Sequence, residues 1–122
     1  MSYVFVYGTL KRGHSNHNHY LGQARFVGAA RTEPLYVMRS LGGFPGVTRG
    51  GTTAVTGEIF EVTNAELANL DRLEGHPDFY RRQLISVSGI LVYAYLLPED
   101  FFEERSKGRW SVDYPSVDNG VW

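Results

Sequence analysis

The chain has 122 residues, enough for one packed domain and too few for two independent cores. Its net charge of −1 provides no basic excess to neutralise phosphates, which argues against a nucleic-acid partner. The absence of cysteine excludes a disulfide framework, a thiolate nucleophile and a thiolate metal site. No apolar run approaches the roughly 20 residues that span a membrane, and no signal-peptide pattern precedes the first strand, so a cytoplasmic globular domain with no membrane partner is expected.

Tyr3-Val4-Phe5-Val6 is apolar without alternation and predicts a strand buried on both faces. It runs directly into Tyr7-Gly8-Thr9-Leu10-Lys11-Arg12-Gly13. Taken alone, this stretch reads first as a tight turn between a strand and a helix. The alternative is a cradle, in which Gly8 adopts torsions closed to other residues and the Thr9 and Leu10 N–H groups hold an anion or an oxyanion. A short polar helix is expected from Ser15, as a cap, to Leu21, with Gly22 as its stop. His14, His17 and His19 raise the question of a metal, but no Asp or Glu lies beside them, and solvated loop histidines are the simpler reading. Residues 23–31 predict a strand with a bulge at Gly28. Leu35 to Met38 predicts a short strand, and Gly42-Gly43-Phe44-Pro45-Gly46 a loop that either lines a pocket mouth or forms a turn. Ala54 to Val62 alternates as a strand. Thr63-Asn64-Ala65-Glu66 is a capping box, and Leu67, Leu70 and Leu73 continue a helix that Gly75 and Pro77 end. Tyr80 to Val87 and Ile90 to Leu97 predict a hairpin across Ser88-Gly89. Beyond Pro98 no element is assigned, although Phe101, Phe102, Trp110 and Trp122 suggest a tail that docks on the body.

Glu74 is out of place. It follows Leu67 by seven residues and Leu70 by four, so at ~100° per residue it lies within the apolar stripe. Desolvation and the negative end of the helix dipole both disfavour its anion and push its pKa upward, towards the range of a useful proton acceptor. The competing reading is a frayed helix end, with Glu74 in solvent or paired with Arg72, Arg81 or Arg82. Asp71 lies at the edge of the same stripe, as a second candidate or a salt-bridge partner. Tyr80 either aims a hydroxyl back at Glu74 or is an ordinary strand aromatic. His76, between Gly75 and Pro77, reads as an exposed turn residue.

Two separated stretches, Val4-Phe5-Val6-Tyr7-Gly8-Thr9-Leu10-Lys11-Arg12-Gly13 and Leu70-Asp71-Arg72-Leu73-Glu74-Gly75-His76-Pro77-Asp78-Phe79-Tyr80-Arg81-Arg82, together resemble the γ-glutamylcyclotransferase family, most closely its γ-glutamylamine branch. The resemblance spans residues 3 to about 97. It divides the chain into a γ-glutamylcyclotransferase-like domain, 1–97, and a docked tail, 98–122. It implies an α+β fold, a small mixed β-barrel with short flanking helices. It further implies Glu74 as the catalytic acid/base, Tyr7, Gly8, Thr9 and Leu10 as the binder of a γ-glutamyl head group, and Tyr80 beside them. Asn16-His17 match a loop-shaping pair. No cofactor and no metal are implied.

The reaction so implied is an attack by the substrate's own α-amine on its γ-carbonyl, releasing 5-oxoproline and an amine or amino acid. Confinement of the bent conformer does much of the work. The leaving group would be chosen at the pocket mouth, where Phe44-Pro45 and the tail are expected. The alternative is a non-catalytic module of the same fold that binds a γ-glutamyl-like or other small carboxylate. Neither the leaving group nor the oligomeric state is specified by the sequence.

Overall fold

A computed structural model describes residues 1–109 and 111–122, so the docking contact expected of Trp110 falls outside the described residues. The elements in chain order are β1 (Ser2–Val6), α1 (His17–Leu21), β2 (Arg25–Arg31), β3 (Tyr36–Ser40), β4 (Pro45–Arg49), β5 (Thr56–Val62), α2 (Asn64–Glu74), β6 (Arg81–Val87), β7 (Ile90–Leu96) and α3 (Phe101–Arg105). Five strands form one mixed sheet in the order β2-β5-β1-β7-β6, and β3 and β4 form a separate antiparallel ribbon. The fold is α+β with mixed strands. The pairing leaves the sheet open, with β2 and β6 as its edges, so the barrel stays unclosed.

β1 lies at the centre, antiparallel to β5 and parallel to β7. Its unbroken apolar run is explained by burial on both faces. Val4 and Val6 join Phe60, Val62, Leu21 of α1, Leu67 and Leu70 of α2 and Phe101 of α3 in one cluster. Phe5 joins Ile59, Val92, Leu96 and the ribbon residues Tyr36, Met38 and Val47 in the other. The helices therefore cover one face of the sheet and the ribbon covers the other, an arrangement that buries both sides of every central strand.

The local signals fold largely as expected. In the capping box of α2, Thr63 Oγ1 accepts from the Glu66 N–H and the Glu66 carboxylate accepts from the Thr63 N–H. Gly75 ends α2 in the left-handed region (φ 67°, ψ 33°), where its N–H reaches Arg72 O and the His76 N–H reaches Asp71 O, a Schellman arrangement. Ser88 and Gly89 both take positive φ, the torsions a two-residue hairpin turn requires. The register of β2 slips between Phe26 and Gly28.

Two expectations are corrected. The first helix starts at His17, one residue later than a Ser15 cap would set it, and Gly22 stays right-handed (φ −59°). The Asn16 side chain that precedes α1 donates to Thr9 and does not cap. The loop 42–46 is shorter than expected, because Pro45 and Gly46 already pair with Ser40 and Arg39 as the start of β4. A proline is tolerated at a first strand position, where no ladder N–H is needed. The unassigned tail forms α3 and then runs beside β3. There the Ser40 N–H donates to Pro115 O (2.8 Å) and the Val117 N–H to Met38 O (2.8 Å).

Candidate active site

β1 and β7 are parallel neighbours, and both of their C-terminal ends open into one cleft of about 340 Å3. Tyr7, Gly8, Thr9, Leu10, Glu74 and Tyr80, the six residues to which the resemblance gives catalytic and binding roles, line it. Phe44, Pro45, Leu73, Phe79 and Tyr95 complete much of its wall, and Asn16 touches it from the start of α1. The volume suits a small ligand.

The loop after β1 is held from several sides. The Lys11 N–H donates to Gly8 O (3.1 Å), the Asn16 N–H to Thr9 O (2.9 Å) and the Asn16 amide to Thr9 Oγ1 (2.8 Å). His17 Nδ1 lies 2.9 Å from Leu10 O and so carries its proton there. Arg12 anchors the far end of the loop, with its N–H on Glu58 (2.7 Å) and its guanidinium over the Phe26 ring. The loop's carbonyls are thus used, whereas the N–H groups of Thr9 and Leu10 find no acceptor among the described residues. Gly8 departs from the expected reason for a glycine. It is not one of the positive-φ glycines, and the requirement is instead steric: a Cβ at this position would stand 2.8 Å from Pro45 Cδ and 2.9 Å from Cγ.

Glu74 faces the same cleft from the last turn of α2. Burial raises its pKa from 4.5 to about 7. It forms no ion pair among the described residues, because each arginine that might have neutralised it is engaged elsewhere or exposed. Arg82 donates to Asp71 (2.6 Å), Arg72 to Asn69, and Arg81 is exposed. No Arg or Lys among the described residues lines the cleft.

Tyr80 is buried, but its hydroxyl donates to Pro45 O (2.6 Å), so it ties the ribbon to the site and is not aimed at Glu74. Tyr7 donates likewise to the backbone carbonyl of Tyr95 (2.5 Å). Burial, followed by the nearby Glu74, pushes the Tyr80 phenol upward, and burial is also the main reason that Tyr7 stays neutral. Asp71 is spent on Arg82 and on the Tyr95 hydroxyl (2.7 Å), which leaves it outside the cleft lining. His76 Nδ1 accepts the Arg82 N–H (2.9 Å) and the residue is half-buried, where an exposed turn was expected.

Tyr95 and Phe79 were not singled out by the sequence. Tyr95 shares a sheet face with Tyr93 by simple alternation, a signal that indicates a face but not a cleft. The mouth carries Phe44, 41 % exposed, but no residue beyond 97 lines the cleft among those described. Phe102 and Tyr114 of the tail instead border a second groove, beside Arg39 and Arg49. Among the described residues, no three His, Asp or Glu side chains converge as metal ligands, and no helix is long and apolar enough to cross a membrane.

Comparison with known proteins agrees with this geometry. Residues 4–116 match the family model described as gamma-glutamyl cyclotransferase, AIG2-like. A relative from Methanocaldococcus jannaschii is 40% identical over 105 residues, spanning 81% of this chain and 87% of its own. YtfP of Escherichia coli K12, named a γ-glutamylcyclotransferase family protein, is 35% identical over 109 residues, or 88% of this chain and 94% of its own. Among solved structures, a mouse AIG2-like protein superposes with a TM-score of 0.67 at 34% identity, covering 79% of this chain and 76% of that one. With a match that extends over nearly all of its length, this chain belongs to the gamma-glutamyl cyclotransferase, AIG2-like family.

Proposed function

We propose that the protein is a γ-glutamyl cyclotransferase acting on γ-glutamyl amines, with Glu74 as its single acid/base. The observation that carries this reading is a carboxyl raised to about 7 by burial and, among the described residues, without an ion-pair partner, in one small cleft with a loop whose Thr9 and Leu10 N–H groups find no acceptor among those residues. A carboxyl poised near neutral pH can take a proton and return it within one turnover.

The substrate's head group enters with its α-carboxylate or its developing oxyanion on the loop N–H groups, and with its chain bent so that the α-amine faces the γ-carbonyl. Glu74 takes a proton from the α-ammonium. The freed amine attacks the γ-carbon, and the carbonyl becomes a tetrahedral oxyanion that the loop holds. When the C=O double bond re-forms, the amide C–N bond breaks and Glu74 returns the proton to the leaving nitrogen. The attacking nitrogen then gives up its second proton to the freed Glu74 carboxylate, which passes it to the released amine, so the products are 5-oxoproline and an ammonium ion and the protons and electron pairs balance without a further reactant. Gly8 keeps the loop and the Pro45 ring in contact, and the Tyr80 hydroxyl holds the Pro45 carbonyl.

Amines are favoured over amino acids or glutathione as leaving groups because the mouth is apolar, with Phe44, Leu73 and Phe79, and among the described residues offers no cation for a second carboxylate. The substrate is a free small molecule, so the reading includes neither a nucleic-acid nor a membrane partner and keeps the cytoplasmic setting expected from the sequence.

The test is release of 5-oxoproline from a panel of γ-glutamyl alkylamines, γ-glutamyl amino acids and glutathione, followed by mass. Turnover of at least one γ-glutamyl amine is expected, with a loss of about 100-fold or more in Glu74→Gln. Stoichiometric binding without product, or activity that survives Glu74→Gln, would sink the proposal.

A further inference from the structure

Asp71 and Glu74 stand one turn apart at the end of α2, yet their surroundings are opposite. Both carboxylate oxygens of Asp71 are occupied: Oδ2 by the Arg82 guanidinium at 2.6 Å and Oδ1 by the Tyr95 hydroxyl at 2.7 Å. Glu74 has neither kind of partner among the described residues, and Tyr95, whose hydroxyl donates to Asp71, lines the same cleft as Glu74. Arg82 is held to this side by the Tyr93 ring, 4.7 Å from its Cζ, and by its own N–H on His76 in the turn that follows Glu74.

We propose that Asp71 is a positioning residue whose carboxylate captures the Arg82 guanidinium, and so leaves Glu74 without a cationic partner in the cleft. The proposal deepens the reading of Glu74 as the acid/base and rests on it for its consequence in catalysis. The geometry makes Arg82 the decisive cation. Arg72 is on Asn69, Arg81 is exposed, and the other titratable groups facing this end of α2 are Tyr7 from the loop after β1, Tyr80 and Tyr95 from the β6–β7 side, and His19 and Tyr20 from α1. None of these carries a fixed positive charge. A carboxylate that gains an arginine within ~4–6 Å titrates about 1–3 pH units lower, so an Arg82 released from Asp71 would convert a neutral-range base into an ordinary, permanently ionised carboxylate.

The experiment follows the Glu74 carboxyl itself by 13C NMR of glutamate-labelled protein, with the resonance assigned by its loss in Glu74→Gln. This readout does not depend on turnover. The Asp71→Asn variant should move the Glu74 midpoint to lower pH by about one unit or more, and Asp71→Asn/Arg82→Gln should return it towards the wild-type value. Arg82→Gln alone leaves Asp71 as an unneutralised anion beside Glu74 and should move the midpoint the other way. Should Asp71→Asn fail to fold, the direction in Arg82→Gln decides. Midpoints unchanged in the folded single variants, or an Asp71→Asn shift that persists in the double variant, would overturn the proposal. If the NMR midpoints move as stated while no variant or wild type releases 5-oxoproline, the fault lies with the proposed reaction and not with the charge arrangement.

Discussion

Glu74→Gln should stabilise the protein while disabling it, and the gain should depend on pH in a defined sense. Burial raises the Glu74 carboxyl from 4.5 to about 7. Between those values the folded protein holds a proton that the unfolded chain has already released, so stability falls as pH rises through this window and levels off above it. At ~1.4 kcal/mol per pKa unit the cost at the plateau is about 3 kcal/mol, an upper figure because the carboxyl faces an open cleft that water can enter. Glutamine has no proton to exchange. The stability difference between variant and wild type should therefore be below about 1 kcal/mol near pH 5 and approach about 2–3 kcal/mol near pH 8. Urea unfolding of both proteins across this range measures it, and every other titrating group cancels in the difference provided that the two share the same unfolded state. A difference that does not vary with pH would mean that folding leaves the Glu74 pKa unchanged, and a variant less stable than wild type near pH 8 would mean that the fold stabilises the carboxylate through a partner; either result would sink the idea of a desolvated base.

The same carboxyl sets the rate profile: kcat/KM should rise with pH through about 7, as the base ionises, before any alkaline limb from the substrate. Gly8→Val should abolish activity, since its side chain must occupy the space of the Pro45 ring, and should cost about 1–3 kcal/mol in urea unfolding; a tolerated valine would show the loop to be misread. Thr9→Ser keeps the oxygen that accepts from Asn16 and should be mild in both activity and stability. Tyr80→Phe leaves the Pro45 carbonyl without its donor and should lose about 1–2 kcal/mol, with kcat/KM reduced in step as the loop and ribbon loosen. Thr63→Ala removes the capping box far from the cleft and should cost about 1 kcal/mol with kcat/KM unchanged at temperatures well below Tm.

The sequence by itself determined the features that close over a few residues. The capping box of α2, its left-handed Gly75, the turn at Ser88-Gly89 and the doubly buried β1 are each decided by neighbours along the chain or by the apolar pattern. It also placed Glu74 on a buried helical face, because helical periodicity alone sets that angle. What it left open was whether Glu74 is paired, since Arg72, Arg81 and Arg82 were all within reach along the chain. Only the tertiary structure decided this, by sending Arg82 of β6 back to Asp71 of α2. Tyr95 entered the site for the same kind of reason, and Pro45, expected at the pocket mouth, gained there a partner that the sequence did not name. Each meets its partner across a long separation in sequence, Tyr80 to Pro45 over 35 residues and Tyr7 to Tyr95 over 88, and no local pattern encodes such a meeting. Gly8 shows the difference most plainly. Its presence was legible as a constraint, but the constraint is the proline ring that packing brings against it, not the torsion that a glycine suggests.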